Sequence, residues 1–138
     1  MGLIPVEYQD KTDNNKLGYP QPHADMPMEA LIFEIVGTFI LTFMVFALAV
    51  DKRAPKHIYG IGIGGALGVS ILAFGKVSGA ALNPCRWLGP AILMGDVSKI
   101  WLYFIGPITG ACMAGALYQW VLMKPEDERI VQKAADFD

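Results

Sequence analysis

The sequence predicts an all-α membrane protein with three transmembrane helices plus one re-entrant half-helix. Three observations carry that reading. Long apolar runs without Lys or Arg fill the middle of the chain, a fourth apolar run is too short to cross a bilayer, and that short run opens on Asn83-Pro84 with Arg86 close behind. Of the 138 residues 54% are hydrophobic, and the polar remainder gathers at the ends. The chain divides into a polar, extended N-terminal arm (1–27), a membrane-like body (28–123) and a polar C-terminal tail (124–138).

The first run, Met28–Val50, carries only Glu29 and Glu34 as charges. The second and third, Ile58–Phe74 and Ile100–Met123, carry none. At about 1.5 Å rise per residue, helices of this length match a hydrocarbon core of roughly 30 Å. So many uncharged residues leave too little polar surface for a soluble domain. The fourth run, Pro84–Met94, reaches only about halfway across. Backbone that stops at mid-depth must be buried in protein or line a polar cavity, because lipid supplies no hydrogen bonds. A loop that dives in and a half-helix that climbs back out satisfy this. Asn83 suits the N-cap and Pro84 the first helical position, so the pair starts the half-helix at depth.

Lys52, Arg53 and Lys56 crowd the loop Asp51–His57, which assigns it to the cytoplasmic or matrix side. Three crossings then put the arm and the re-entrant loop on the other side, with the acidic tail beside the basic loop. The arm has four prolines, no arginine and no apolar signal-peptide core, and reads as an extended strap held by a partner surface. Gly64 and Gly68 form a GxxxG spacing in the second span, and Gly106 and Gly110 another in the third. Small residues at this spacing let transmembrane helices approach closely, so both pairs are expected at helix contacts.

Several function classes fall away. A net charge of −2 offers no basic face for nucleic acid. Cys85 and Cys112 have neither metal nor disulfide spacing and read as two buried thiols. His23 and His57 belong to no catalytic pattern, no nucleophile–base pair is visible, and neither an enzyme, a cofactor nor a metal site is expected.

What remains is the chemistry of costly residues in a membrane. A half-helix starting at mid-depth aims its positive dipole end at the cavity it lines. Asn83 offers a side-chain amide there, and Arg86 a permanent charge that needs water or fixed carbonyls. Such a pore mouth would pass neutral polar solutes and repel protons and cations; a purely structural pairing of Arg86 fits the residue pattern equally well. Glu34, six residues into the first span, is expected to face the bundle interior and accept hydrogen bonds from the re-entrant backbone.

These motifs resemble the second half of the aquaporin, or major intrinsic protein, family. The family's second signature loop, Gly-x-x-x-Asn-Pro-Ala-Arg followed by a Gly-Pro-Ala-like stretch, stands here as Gly79-Ala80-Ala81-Leu82-Asn83-Pro84-Cys85-Arg86, then Gly89-Pro90-Ala91. Glu34–Phe43 resembles the start of the family's fourth helix, with its buried Glu. Ile105–Ala111 is similar to the Gly-Pro-x-x-Gly of its sixth. The resemblance covers residues 29–123 and implies half of an aquaporin-like fold, the C-terminal inverted repeat only. It implies that Asn83, Pro84, Cys85 and Arg86 form the pore motif, with Cys85 where Ala is usual. It further implies a selectivity filter of Ile71, Ala80 and Arg86, less polar than that of a strict water channel. One repeat cannot enclose a pore. The resemblance therefore implies an obligate protein partner beside the membrane lipid: a second half-channel closing a path for water or small neutral solutes. The alternative is a non-transporting structural subunit of a large complex, such as a respiratory complex of the mitochondrial inner membrane, lashed on by the arm.

Overall fold

The computed structural model describes residues 20–23, 26–55 and 57–123, and every regular element among them is helical. Helix α1 spans Pro27–Val45, with proline in its first turn, and loosens into a π turn over Phe46–Val50. Asp51 ends it by turning extended. Helix α2 spans Tyr59–Ser78 and stops where Gly79 enters the left-handed region, at φ +79°. It runs four residues past the predicted end at Phe74: Lys76 lies in its last turn with an exposed side chain, so the charge does not break the helix. Helix α3 is the short Pro84–Met94, and α4 spans Ile100–Leu117 with its own π turn over Tyr118–Leu122. The first, second and fourth, counting their π turns, are long and apolar enough to cross a membrane.

Contacts at the two ends fix the topology. At one end the His23 amide donates to the Val77 carbonyl at 2.8 Å, joining the entry of α1 to the exit of α2. At the other, the Tyr118 hydroxyl donates to Asp51 Oδ2 at 2.6 Å and Arg53 Nη2 to the Leu122 carbonyl at 3.2 Å. The basic loop and the end of α4 therefore share one side, and the re-entrant loop and residues 20–23 the other.

α1 is the central helix and packs against both α4 and α2. Against α4 the approach is close. A Cβ at Gly106 would lie 2.8 Å from Glu34 Cβ, and one at Gly110 would run into the Ile35 carbonyl. Against α2, Phe33 stacks on Phe74 with centroids 5.0 Å apart. Gly64 and Gly68 behave differently from their counterparts: a Cβ at either would meet nothing within 4 Å among the described residues. Their side of α2 is open, and the glycine of α2 that does pack is Gly62, against Leu48 of α1's π turn.

The apolar core lies where α1, α3 and α4 converge on the re-entrant loop: Ala30, Ala81, Trp87, Ala91, Leu102 and Tyr103. Trp87 stacks on Tyr103 at 4.9 Å, which pins the half-helix to α4. The thiols depart from expectation, because both Cys85 and Cys112 are exposed. Cys85 sits on the side of α3 turned away from this core, and Cys112 falls between the α4 positions that bury against α1.

Candidate functional site

Gly79–Asn83 is the re-entrant loop. Gly79, Ala80 and Leu82 take positive φ values of 79°, 43° and 55°. A non-glycine residue in that region costs of order 1–3 kcal/mol and persists only where its surroundings over-determine it. Here they do. Glu34, fully buried on α1, receives the Ala81 amide on Oε1 at 2.9 Å and the Leu82 amide on Oε2 at 2.7 Å. Ser78 Oγ accepts the Ala80 amide at 3.0 Å, and the Tyr103 hydroxyl donates to the Ser78 carbonyl at 2.6 Å. Each is a buried polar group that lipid could not satisfy.

The loop's carbonyls hold Arg86. Its Nη1 donates to Ala80 O at 2.6 Å and to Ala81 O at 3.2 Å. Three successive amides are thus drawn to Ser78 and Glu34, while two carbonyls take the guanidinium. Asn83 caps the half-helix, its Oδ1 accepting the Cys85 amide at 2.8 Å and, more weakly, the Arg86 amide at 3.4 Å. That leaves the Asn83 amide nitrogen free of the cap, and it can donate outward. Asn83, Cys85 and Arg86 are all exposed on the side that faces away from α1 and α4.

The expected filter residues are placed unevenly. Arg86 is on the open side, and Ile71 is half-buried one helical turn before Gly75. The Ala80 methyl is fully buried, so Ala80 meets Arg86 through its carbonyl instead of its side chain. Pro84 starts α3, and no cluster that could hold a metal ion occurs among the described residues. Ser78 and Tyr103 were not singled out from the sequence. The available signal was a tyrosine in an otherwise apolar span, whose hydroxyl must find a partner when buried.

This arrangement has relatives. The family model described as Major intrinsic protein matches residues 3–118. Aquaporin TIP2-3 of Arabidopsis thaliana is 44% identical over 93 residues, which are 66% of this chain and 37% of that protein. Aquaporin NIP1-1 of Zea mays is 34% identical over 110 residues, 80% of this chain and 39% of the relative. Its counterpart in Oryza sativa subsp. japonica is 32% identical over 114 residues, 83% and 40% respectively. The chain thus spans about 40% of the length of the relatives it matches. The family match begins at residue 3, earlier than the expected resemblance over 29–123, so it takes in the N-terminal part of the chain; most of the expected arm, and the tail 124–138, lie outside the described residues. A match over most of the chain, and a loop that carries the signature residues in this geometry, place the chain in the major intrinsic protein family, the aquaporins.

Proposed function

We propose that this chain forms one wall of a pore for water and small neutral solutes, and that a complementary unit supplies the facing wall. The observation that carries the reading is the Arg86 guanidinium, gripped by two carbonyls on one side and exposed on the other, at the start of a helix that spans only half the bilayer. As an integral membrane protein of the aquaporin family, the chain would be left with a polar face in lipid unless something covers it. The stretch from residue 28 to 123 corresponds to the second inverted repeat, so the covering unit would be the first repeat or another copy of this one.

In such a pore the division of labour follows from the site. The exposed Asn83 amide donates to a passing solute and replaces part of its lost hydration, while the buried Ala80 and Ala81 carbonyls hold the guanidinium. Arg86 and the α3 N-terminus repel cations and protons electrostatically. Ile71 contributes apolar width. The filter's low polarity favours small solutes beyond water, such as glycerol, urea or ammonia.

Vesicles containing the purified assembly should shrink faster than empty vesicles in an osmotic jump, and Arg86→Ala should raise their cation and proton leak. Flux no faster than that of empty vesicles would sink the pore. The native mass in mild detergent identifies the second wall: a small particle of this chain with one complementary unit fits, and a very large particle of unrelated subunits points to the structural role instead. That structural alternative rests on the two polar ends of the chain and on Cys85 in place of the usual Ala.

A further inference from the structure

The re-entrant loop is held from inside by Glu34 and Tyr103, and a different segment lies across its outer edge. Pro20 is buried although it precedes the first helix. A Cβ built on Gly79 would come within 2.7 Å of the Gln21 amide nitrogen and 2.8 Å of both Cα and Cβ of Pro20. The His23 amide donates to the Val77 carbonyl at 2.8 Å, and the His23 carbonyl accepts the Met26 amide at 3.1 Å, which leads directly into α1. Residues 20–23 therefore form a strap whose backbone rests on Gly79 with no room for a side chain between. Gly79 is the residue before Ala80, whose carbonyl makes the shortest bond to Arg86, at 2.6 Å.

Resting on the pore reading, we propose that Pro20–Gln21 are positioning residues for the selectivity-determining arginine. The strap fixes the height of Gly79. The left-handed Ala80 that follows carries that position to the Ala80 and Ala81 carbonyls, and these place the guanidinium. A loosened strap lets the loop ride outward and the constriction widen. The strap acts through Arg86 and touches no solute itself.

Gly79→Ala is the obvious variant, but a side chain at φ +79° is strained wherever the strap sits. Pro20→Gly is cleaner: it removes the ring and Cβ that face Gly79 and leaves the loop's own sequence alone. Pro20→Ala keeps the Cβ and serves as the conservative rescue. Two measurements on the native assembly decide the matter. The first is amide exchange in mild detergent. Residues 77–86 should exchange about fivefold faster in Pro20→Gly, the effect of losing one packed contact, and return toward the wild-type rate in Pro20→Ala, with α4 unchanged. Wild-type exchange in 77–86, or an equal rise throughout α4, overturns the proposal.

The second is vesicle flux. Pro20→Gly should raise glycerol and cation passage relative to water, and should add nothing further in an Arg86→Ala background, because the strap works through that side chain. Increments that simply add overturn the positioning role. A wild-type assembly with no flux at all defeats the pore reading instead, and the exchange measurement still decides whether the strap holds the loop.

Discussion

Glu34 and Arg86 grip the same five-residue loop with opposite chemistry. The acid takes two amides and the base takes two carbonyls, so the loop's backbone is pulled apart into a donor side and an acceptor side. Neither residue could be traded for a neutral analogue without leaving a partner behind. Glu34→Gln keeps the shape but replaces one acceptor oxygen with a donor NH2, facing an amide that is itself a donor. Stranding one buried amide in this way should destabilise the fold by roughly 1–3 kcal/mol. Thermal unfolding of the detergent-solubilised assembly reads this directly. An unchanged midpoint would mean that the loop does not depend on Glu34. Arg86 was legible in the sequence as an expensive charge, and Glu34 as a buried acid. The left-handed Ala80 and Leu82 were not, because neither residue type announces a positive φ.

At the scale of elements, the spans were legible because each is an uninterrupted apolar run, and α3 because Asn-Pro marks a start that its length cannot carry across. The GxxxG spacings show where such reading stops. Gly106 and Gly110 lie against backbone and Cβ atoms of α1, while Gly64 and Gly68, with the same spacing, face open space. Spacing identifies a face that can pack closely and says nothing about which neighbour arrives. The far end of the bundle carries its own clasp. The Arg53 guanidinium holds the Asp51 carboxyl well below the usual carboxylate range, with the Tyr118 hydroxyl adding to the effect and partial burial opposing it. A folded-state value below the unfolded one means that the stabilisation is fully present above the ordinary carboxylate range and is lost as pH falls through the lowered value. Asp51→Asn should therefore lower stability by a constant amount from neutral pH down to about pH 4, with the gap to wild type closing only below that. A gap that already narrows between pH 7 and 5 would show that another group carries the effect. Because Arg53 is half-exposed, the amount should be small.

For the whole molecule, the covered and uncovered faces make an asymmetric statement. α1 and α4 bury their shared side, whereas Gly64, Gly68, Asn83, Cys85 and Arg86 all look outward. Cys85 is a natural reporter of what covers that face. A water-soluble maleimide should label it readily in the dissociated chain and slowly in the native assembly. Equal rates in both would mean that no complementary wall sits against the half-helix. The sequence alone misplaced this thiol in a buried setting, since an apolar neighbourhood in the chain is not the same as an enclosed one in space.

The re-entrant loop also imposes an order on biosynthesis. Its strap and Glu34 leave the ribosome before it, but Tyr103, which holds Ser78 and stacks on Trp87, follows Asn83 by 20 residues (103 − 83). Until α4 has entered the bilayer, the Ser78 carbonyl lacks its donor and Trp87 lacks its stacking partner. The half-helix therefore cannot settle as it emerges. The contacts that seat it are complete only once the last span is in place, so a motif that comes earlier in the chain depends on a helix made after it.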